Sequence, residues 1–410
     1  MFTLLNKAKW LLSGNILFAF SQWLMLILFS HFTNPDKLGY YSYALALTAP
    51  VFMLTNLQLR PLLVADLNTK NKFQFNQYFL LRSITIVLAI AICLVFLFFK
   101  QYEIFGLYII AIVILMKASE AWSDIIYAYY NANKKTTFIS QSLIIKSTSI
   151  IILSSLILWW LHSILYTLIA VFISYVLIMI FVDFAKIKTE FKQNNKKPIK
   201  DLIELSKMGL PLGIAVMLIS LQTNIPRYFL EHSYSVKELG IYTIFYYFIV
   251  IGGIIINSIC QYLSPYYSEY YRDIEILKLK KITKKTFCIA LILGLFGLAL
   301  SYLMGDFVIG LFYGKQYIAY STLLPLIMVA GIFTYLSVVS GYLLTSLKVL
   351  RIQAPLFLSL AILTFIYSYI FIPKFGLFGA AYTTILSAMS QFLISTVIVY
   401  KRIQELQVND

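Results

Sequence analysis

The sequence predicts an all-α membrane protein of about twelve transmembrane helices arranged as two six-helix halves. Three observations predict it. Hydrophobic residues make up 60% of the 410 and charged residues 12%, with a mean hydropathy of +0.83, which leaves too little polar surface for a soluble domain. Apolar windows of about 20 residues, each long enough to cross a hydrocarbon core of about 30 Å, recur along the whole length. A third sign is internal repetition, since the loop leading into the second window returns before the eighth.

In order, the first half is read as spans over residues 11–30, 41–62, 79–99, 104–128, 139–160 and 163–185. Lys7 and Lys9 precede the first run as in a signal peptide. That run is too long for a signal core, however, and no small-residue cleavage pattern follows, so it stays a span. The loop over residues 31–39 opens the second span with Leu38-Gly39-Tyr40-Tyr41. After the sixth span, residues 186–207 carry Lys186, Lys188, Lys192, Lys196, Lys197, Lys200 and Lys207. Asn194, Asn195 and Pro198 break any helix there, although residues 199–205 can form a short interfacial one. The expected organisation is therefore an N-terminal bundle over 1–185, a basic cytoplasmic linker over 186–207 and a C-terminal bundle over 208–410.

The second half gives spans at residues 208–230, 241–263, 286–304, 321–346, 353–372 and 377–400. Its loop at 232–240 leads into Leu239-Gly240-Ile241-Tyr242, with the same spacing from His232 to Leu239 as from His31 to Leu38. A longer loop at 266–285 is rich in Tyr and Lys, and Tyr262, Tyr266, Tyr267, Tyr270 and Tyr271 read as an aromatic interface belt. The longest outer loop, 305–320, has about 16 residues, too few for a catalytic domain outside the membrane. No G-x-x-x-x-G-K-[ST] phosphate loop is present, so neither an ATPase nor a cofactor is expected.

The net charge of +16 is a matter of placement. Of 33 Lys and Arg, 26 fall on the side that holds the N-terminus when Arg60, Arg82 and Lys146, near inner span ends, are counted with it; 5 fall on the other side, and Lys117 and Arg227 lie deeper within spans. This is the positive-inside asymmetry, which places both termini in the cytoplasm and the basic clusters beside anionic lipid. A nucleic-acid partner is not expected.

Few ionisable residues lie inside spans. In the fourth, Lys117-Ala118-Ser119-Glu120-Ala121-Trp122-Ser123-Asp124 puts three charges on one helix face. A mid-membrane charge costs at least about 2.5 kcal/mol, so that face should meet a partner helix or a wet cavity. Two readings stand: a self-satisfied Lys117–Glu120 pair that sets helix rotation, or a cation offered to an anionic substrate with Glu120 or Asp124 coupling an ion. Arg227 follows Pro226, and Pro211 lies between Gly209 and Gly213, so the seventh span reads as a helix interrupted at both ends, either a gating element or a packed kink. Arg82 and Asp183 read as snorkelling groups near inner ends, Arg60 and Lys146 as borderline. His31, His162 and His232 lie apart at outer boundaries, and no metal site is expected.

Several segments together resemble a known family. They are the repeated Leu-Gly-x-Tyr, Asn224-Ile225-Pro226-Arg227-Tyr228-Phe229-Leu230, Ser264-Pro265-Tyr266-Tyr267 and Leu311-Phe312-Tyr313-Gly314-Lys315-Gln316-Tyr317. In their order they are similar to bacterial polysaccharide repeat-unit (O-antigen or capsule) flippases of the multidrug/oligosaccharidyl-lipid/polysaccharide exporter superfamily. The resemblance implies halves that form a V around a central cavity, and the flipping of an undecaprenyl-pyrophosphate-linked oligosaccharide across the cytoplasmic (inner) membrane by alternating access. It implies a proton or sodium gradient as driver, and a polysaccharide polymerase and chain-length regulator as partners. Arg227, Lys117 and Arg60 are then the expected substrate-binding residues, Glu120 and Asp124 the ion-coupling ones. The alternatives are a multidrug antiporter of the same superfamily, against which a Lys and an Arg at depth argue, and a peptidoglycan-precursor flippase, whose extra spans are absent.

Overall fold

The computed structural model describes residues 2–69, 73–100, 102–185, 187, 199–349 and 352–408, and among them there is no β-strand. Helices α1 (Phe2–Phe32), α2 (Pro35–Thr55), α3 (Leu59–Thr69), α4 (Phe75–Phe98), α5 (Ile104–Ala132), α6 (Thr136–Leu161) and α7 (Ile164–Ile178) come first. The last of these continues into a π-helical turn, Met179–Asp183. Then follow α8 (Ile199–Ser233), α9 (Val236–Arg272), α10 (Ile276–Tyr313), a 3-10 turn (Lys315–Tyr320), α11 (Leu323–Ser346) and α12 (Gln353–Val408).

Among the described residues, 11 stretches are long and apolar enough to cross a membrane. The last one counts twice. At 56 residues, α12 would extend about 84 Å, more than twice the hydrocarbon thickness. Gly376 breaks it with φ 56° and ψ −124°, a conformation open only to glycine. Its two arms match the spans predicted at 353–372 and 377–400. The chain is a multi-pass helical membrane protein. It divides into two compact units, Met1–Leu221 and Gln222–Asp410, with the division falling inside α8.

The sequence repeat has the same local structure in each unit. Leu38 and Leu239 are fully buried, Tyr41 and Tyr242 nearly so. The hydroxyls of Ser42 and Thr243 donate to the carbonyls of Leu38 and Leu239 at 2.9 Å in both cases. Each motif is thus a helix start that anchors one Leu and one Tyr while its hydroxyl residue is satisfied along the helix.

Several expectations need correction. The predicted loop at 266–285 is mostly helix, because α9 runs to Arg272 and α10 starts at Ile276. Within the aromatic belt Tyr262 is exposed, whereas Tyr267 is fully buried and its hydroxyl meets Thr286 Oγ1 at 2.7 Å. Within the former linker, residues 199–207 are the start of α8; residues 186 and 188–198 lie outside the described set. That helix then runs unbroken through Pro211 and Pro226 instead of being interrupted.

The second predicted span is interrupted. Between α2 and α3, Leu57 (φ 49°) and Gln58 (φ 48°) take left-handed conformations, each costing about 1–2 kcal/mol for a non-glycine residue. Packing holds them there. Leu59 and Leu63 of α3 belong to a buried cluster with Ile125 and Ile126 of α5 and Leu205 of α8. On α8, a Cβ at Gly209 would stand 2.5 Å from the Leu57 carbonyl oxygen, and one at Gly213 2.7 Å from that of Leu54. Only glycine at both lets α8 lie directly on the break, which accounts for the Gly209-Leu210-Pro211-Leu212-Gly213 segment.

Candidate functional site

Unit Met1–Leu221 encloses a cavity of about 320 Å³ among α1, α2, α3, α5 and α6. Its walls combine apolar side chains such as Phe18, Phe52 and Leu143 with Asn15, Asn56, Arg60, Lys117, Glu120, Ser123, Asp124, Tyr127 and Lys146. Lys117, Glu120 and Asp124 all line it. The three-then-four spacing delivers them to one wall because α5 is continuous from Ile104 to Ala132.

Lys117 Nζ lies 2.7 Å from Glu120 Oε2, and both side chains are about a quarter exposed. The pair is formed, and it faces the cavity. Asp124 is shared between two arginines on other helices. Its Oδ1 accepts from Arg60 Nη1 at 2.9 Å and its Oδ2 from Arg82 Nη2 at 3.3 Å. Arg82 also donates through Nη1 to Asn56 Oδ1, so it fastens the α2–α3 break to α5. Arg60, in the first turn of α3 just past the break, lies at the cavity surface.

Arg82 and Asp183 do not snorkel. Arg82 is fully buried, and the Asp183 side chain is 1% exposed. Asp183, at the end of the π-helical turn, accepts from Lys146 Nζ at 3.2 Å and from Ser123 Oγ at 2.8 Å. Lys146 donates further to Ser123 Oγ (2.7 Å) and Tyr127 OH (2.9 Å), while Tyr130 OH reaches the Asp183 carbonyl (3.1 Å). Burial at this depth is tolerable only because each charge meets its opposite and several dipoles. Four cations (Arg60, Arg82, Lys117, Lys146) thus stand with three carboxylates (Glu120, Asp124, Asp183) on and behind the cavity wall. The surplus is one positive charge.

Arg227 belongs to the other unit. Its guanidinium lies 4.8 Å from the Tyr246 ring centre, and Nη1 donates to Asn224 Oδ1 at 3.0 Å. No carboxylate pairs with it among the described residues, and its Nε is buried without a partner. Tyr246 also borders a small pocket of about 50 Å³ with Gln222, Thr384, Ser387 and Gln391. The structure therefore brings Arg60, Lys117, Glu120 and Asp124 together and leaves Arg227 in a separate cluster. Sequence reasoning missed Arg82, Lys146, Asp183 and Asn56 as members of the first cluster. Their signal was opposite charges and an amide inside apolar runs, which can persist there only as partners.

This fold is shared with transporters. The structure superposes on a multidrug resistance transporter of the MATE family, MOP superfamily, in its inward-facing conformation, with a TM-score of 0.72 over 94% of each chain at 12% identity. It superposes also on a MOP superfamily transporter from Pyrococcus furiosus, with a TM-score of 0.68 over 97% of this chain and 95% of that one at 13% identity. In sequence, residues 4–271 match the family of polysaccharide biosynthesis proteins, and the chain belongs to that family. It is 28% identical over 408 residues to the capsular polysaccharide biosynthesis protein CapF of Staphylococcus aureus, covering 98% of this chain and all of that one.

Proposed function

We propose that this protein flips a lipid-diphosphate-linked oligosaccharide, the repeat unit of a capsule or O-antigen type polysaccharide, from the inner to the outer leaflet of the cytoplasmic membrane. The observation that carries the reading is the cavity wall. Arg60 and Lys117 are presented inside a bundle of membrane-spanning helices with a net surplus of positive charge, an arrangement suited to phosphate oxygens and unsuited to organic cations. Family membership supplies the polysaccharide context and the fold supplies a transporter scaffold.

On this reading the six-helix halves alternate access to the two leaflets, with both termini cytoplasmic. Arg60 and Lys117 take the phosphates, Arg227 offers a cation to the substrate from the other unit, and an ion gradient acts through Glu120. The lipid tail stays in the bilayer while the polar head crosses in the hydrated chamber. A strain deleted for the gene is expected to lose surface polysaccharide and accumulate lipid-linked repeat units on the cytoplasmic side, and the wild-type gene to reverse both. Normal surface polysaccharide in the deletion strain would overturn the proposal.

The pairing of Lys117 with Glu120 gives a second test. Lys117→Ala is expected to lower surface polysaccharide strongly at unchanged protein abundance. The double variant Lys117→Ala/Glu120→Ala is expected not to recover. Recovery in the double variant would assign the pair to helix orientation alone.

A further inference from the structure

This inference rests on the cavity being a phosphate-binding chamber. A carrier of an anion passes its occluded state twice per cycle, once loaded and once empty. On the empty passage a cation walled off from bulk water carries a desolvation penalty with no substrate to offset it.

Arg60 has a counter-ion within the chain. Its Nη1 holds Asp124 Oδ1 at 2.9 Å, and both side chains are about a third exposed to the cavity. The other Asp124 oxygen, 3.3 Å from Nη2 of Arg82, points to a guanidinium that is fully buried and does not line the cavity. Arg82 is fixed by Asn56 on Nη1 and still has an unused donor, Nε, without a partner among the described residues. The two cations on Asp124 are therefore unequal. One is accessible to a ligand on a flexible stem, and the other is locked behind the wall with donor capacity to spare. If Arg60 turns to a phosphate, Asp124 retains Arg82, and no buried charge is stranded in either state.

We propose that Asp124 is an internal counter-ion that occupies Arg60 whenever the cavity is empty and yields it to a phosphate or diphosphate ester on loading, with Arg82 the positioning residue that keeps Asp124 in place. This gives Asp124 a role apart from the ion coupling expected of it from sequence. Affinity and turnover then depend on Asp124 in opposite directions: removing its charge frees Arg60 for the ligand and handicaps the empty return.

The test uses the full-length protein in lipid nanodiscs with inorganic pyrophosphate as probe, titrated calorimetrically. Asp124→Asn is expected to bind pyrophosphate about tenfold or more tightly than wild type, in line with the coupling energies of close charge pairs, and to give less surface polysaccharide in cells. Asp124→Asn/Arg60→Gln is expected to lose the gain. Because Asp124→Asn strips Arg82 of its carboxylate, the double variant Arg82→Met/Asp124→Asn removes the stranded charge as well and is expected to show the same tightening if the single variant does not fold. Wild-type binding with no tightening in any folded Asp124→Asn background would overturn the counter-ion role alone. No pyrophosphate binding by any variant would overturn it together with the phosphate-chamber reading.

Discussion

Asp183→Ala is expected to destabilise the protein by about 3–5 kcal/mol, because it leaves Lys146 charged and buried without its counter-ion. That is a large share of the about 5–15 kcal/mol typical of a folded domain. The Lys146 side chain is 3% exposed, with Asp183, Ser123 and Tyr127 as partners of its ammonium. Two of these are hydroxyls, which solvate a cation but do not neutralise it. The expected result is a sharp fall in membrane-fraction abundance and in the thermal midpoint of the purified protein. Removing both charges in Lys146→Met/Asp183→Leu is expected to restore most of the abundance, since an apolar pair of similar volume carries no desolvation cost. A single Asp183→Ala variant as abundant and as heat-resistant as wild type would show that the network does not hold α5, α6 and the π-helical turn together.

Arg227→Ala is expected to have the opposite profile, with surface polysaccharide lost and protein abundance unchanged. Its partners are an amide at 3.0 Å and a tyrosine ring at 4.8 Å, and neither is a charge that its removal would strand. The position therefore carries a cation whose counter-charge is not among the described residues, which is what a site for an anionic substrate requires. Arg227→Lys keeps the charge but not the planar fork or its stacking on Tyr246. Partial polysaccharide production is expected from it, and the ratio between the two variants measures how much of the contribution is geometric. Wild-type polysaccharide from Arg227→Ala at normal abundance would remove this residue from the substrate path.

These two positions show why sequence reached some of the site and not the rest. The face of α5 was legible because helical periodicity alone puts Lys117, Glu120 and Asp124 together, and the twelve crossings were legible because hydropathy is a local property. Gly376 sat between two predicted spans and proved to be the one residue able to turn between them. The pairings were not legible. Arg82 is 42 residues from Asp124, and Lys146 37 from Asp183, so the partners meet only through helix packing. Seen singly near the ends of apolar runs, Arg82 and Asp183 look like groups reaching for water. The break at residues 56–58 was hidden for a related reason. No glycine stands at Leu57 or Gln58, and their left-handed backbone is imposed by the cluster around Leu59 and Leu63 and by α8 lying across it. The local signs were Asn56, whose role depends on Arg82, and Pro61, which has no N–H to give the Leu57 carbonyl.

The central claim is that a positively charged chamber inside this helical fold carries the diphosphate head of a lipid-linked oligosaccharide across the bilayer. Its most direct test is reconstitution of the purified protein into liposomes loaded asymmetrically with the lipid-linked repeat unit, following the exposure of the sugar to an impermeant glycosidase. The wild-type protein is expected to equilibrate the sugar between leaflets, and Arg60→Gln/Lys117→Gln, at equal incorporation, to leave it where it was loaded. Equal redistribution by the wild type and this double variant would contradict the account.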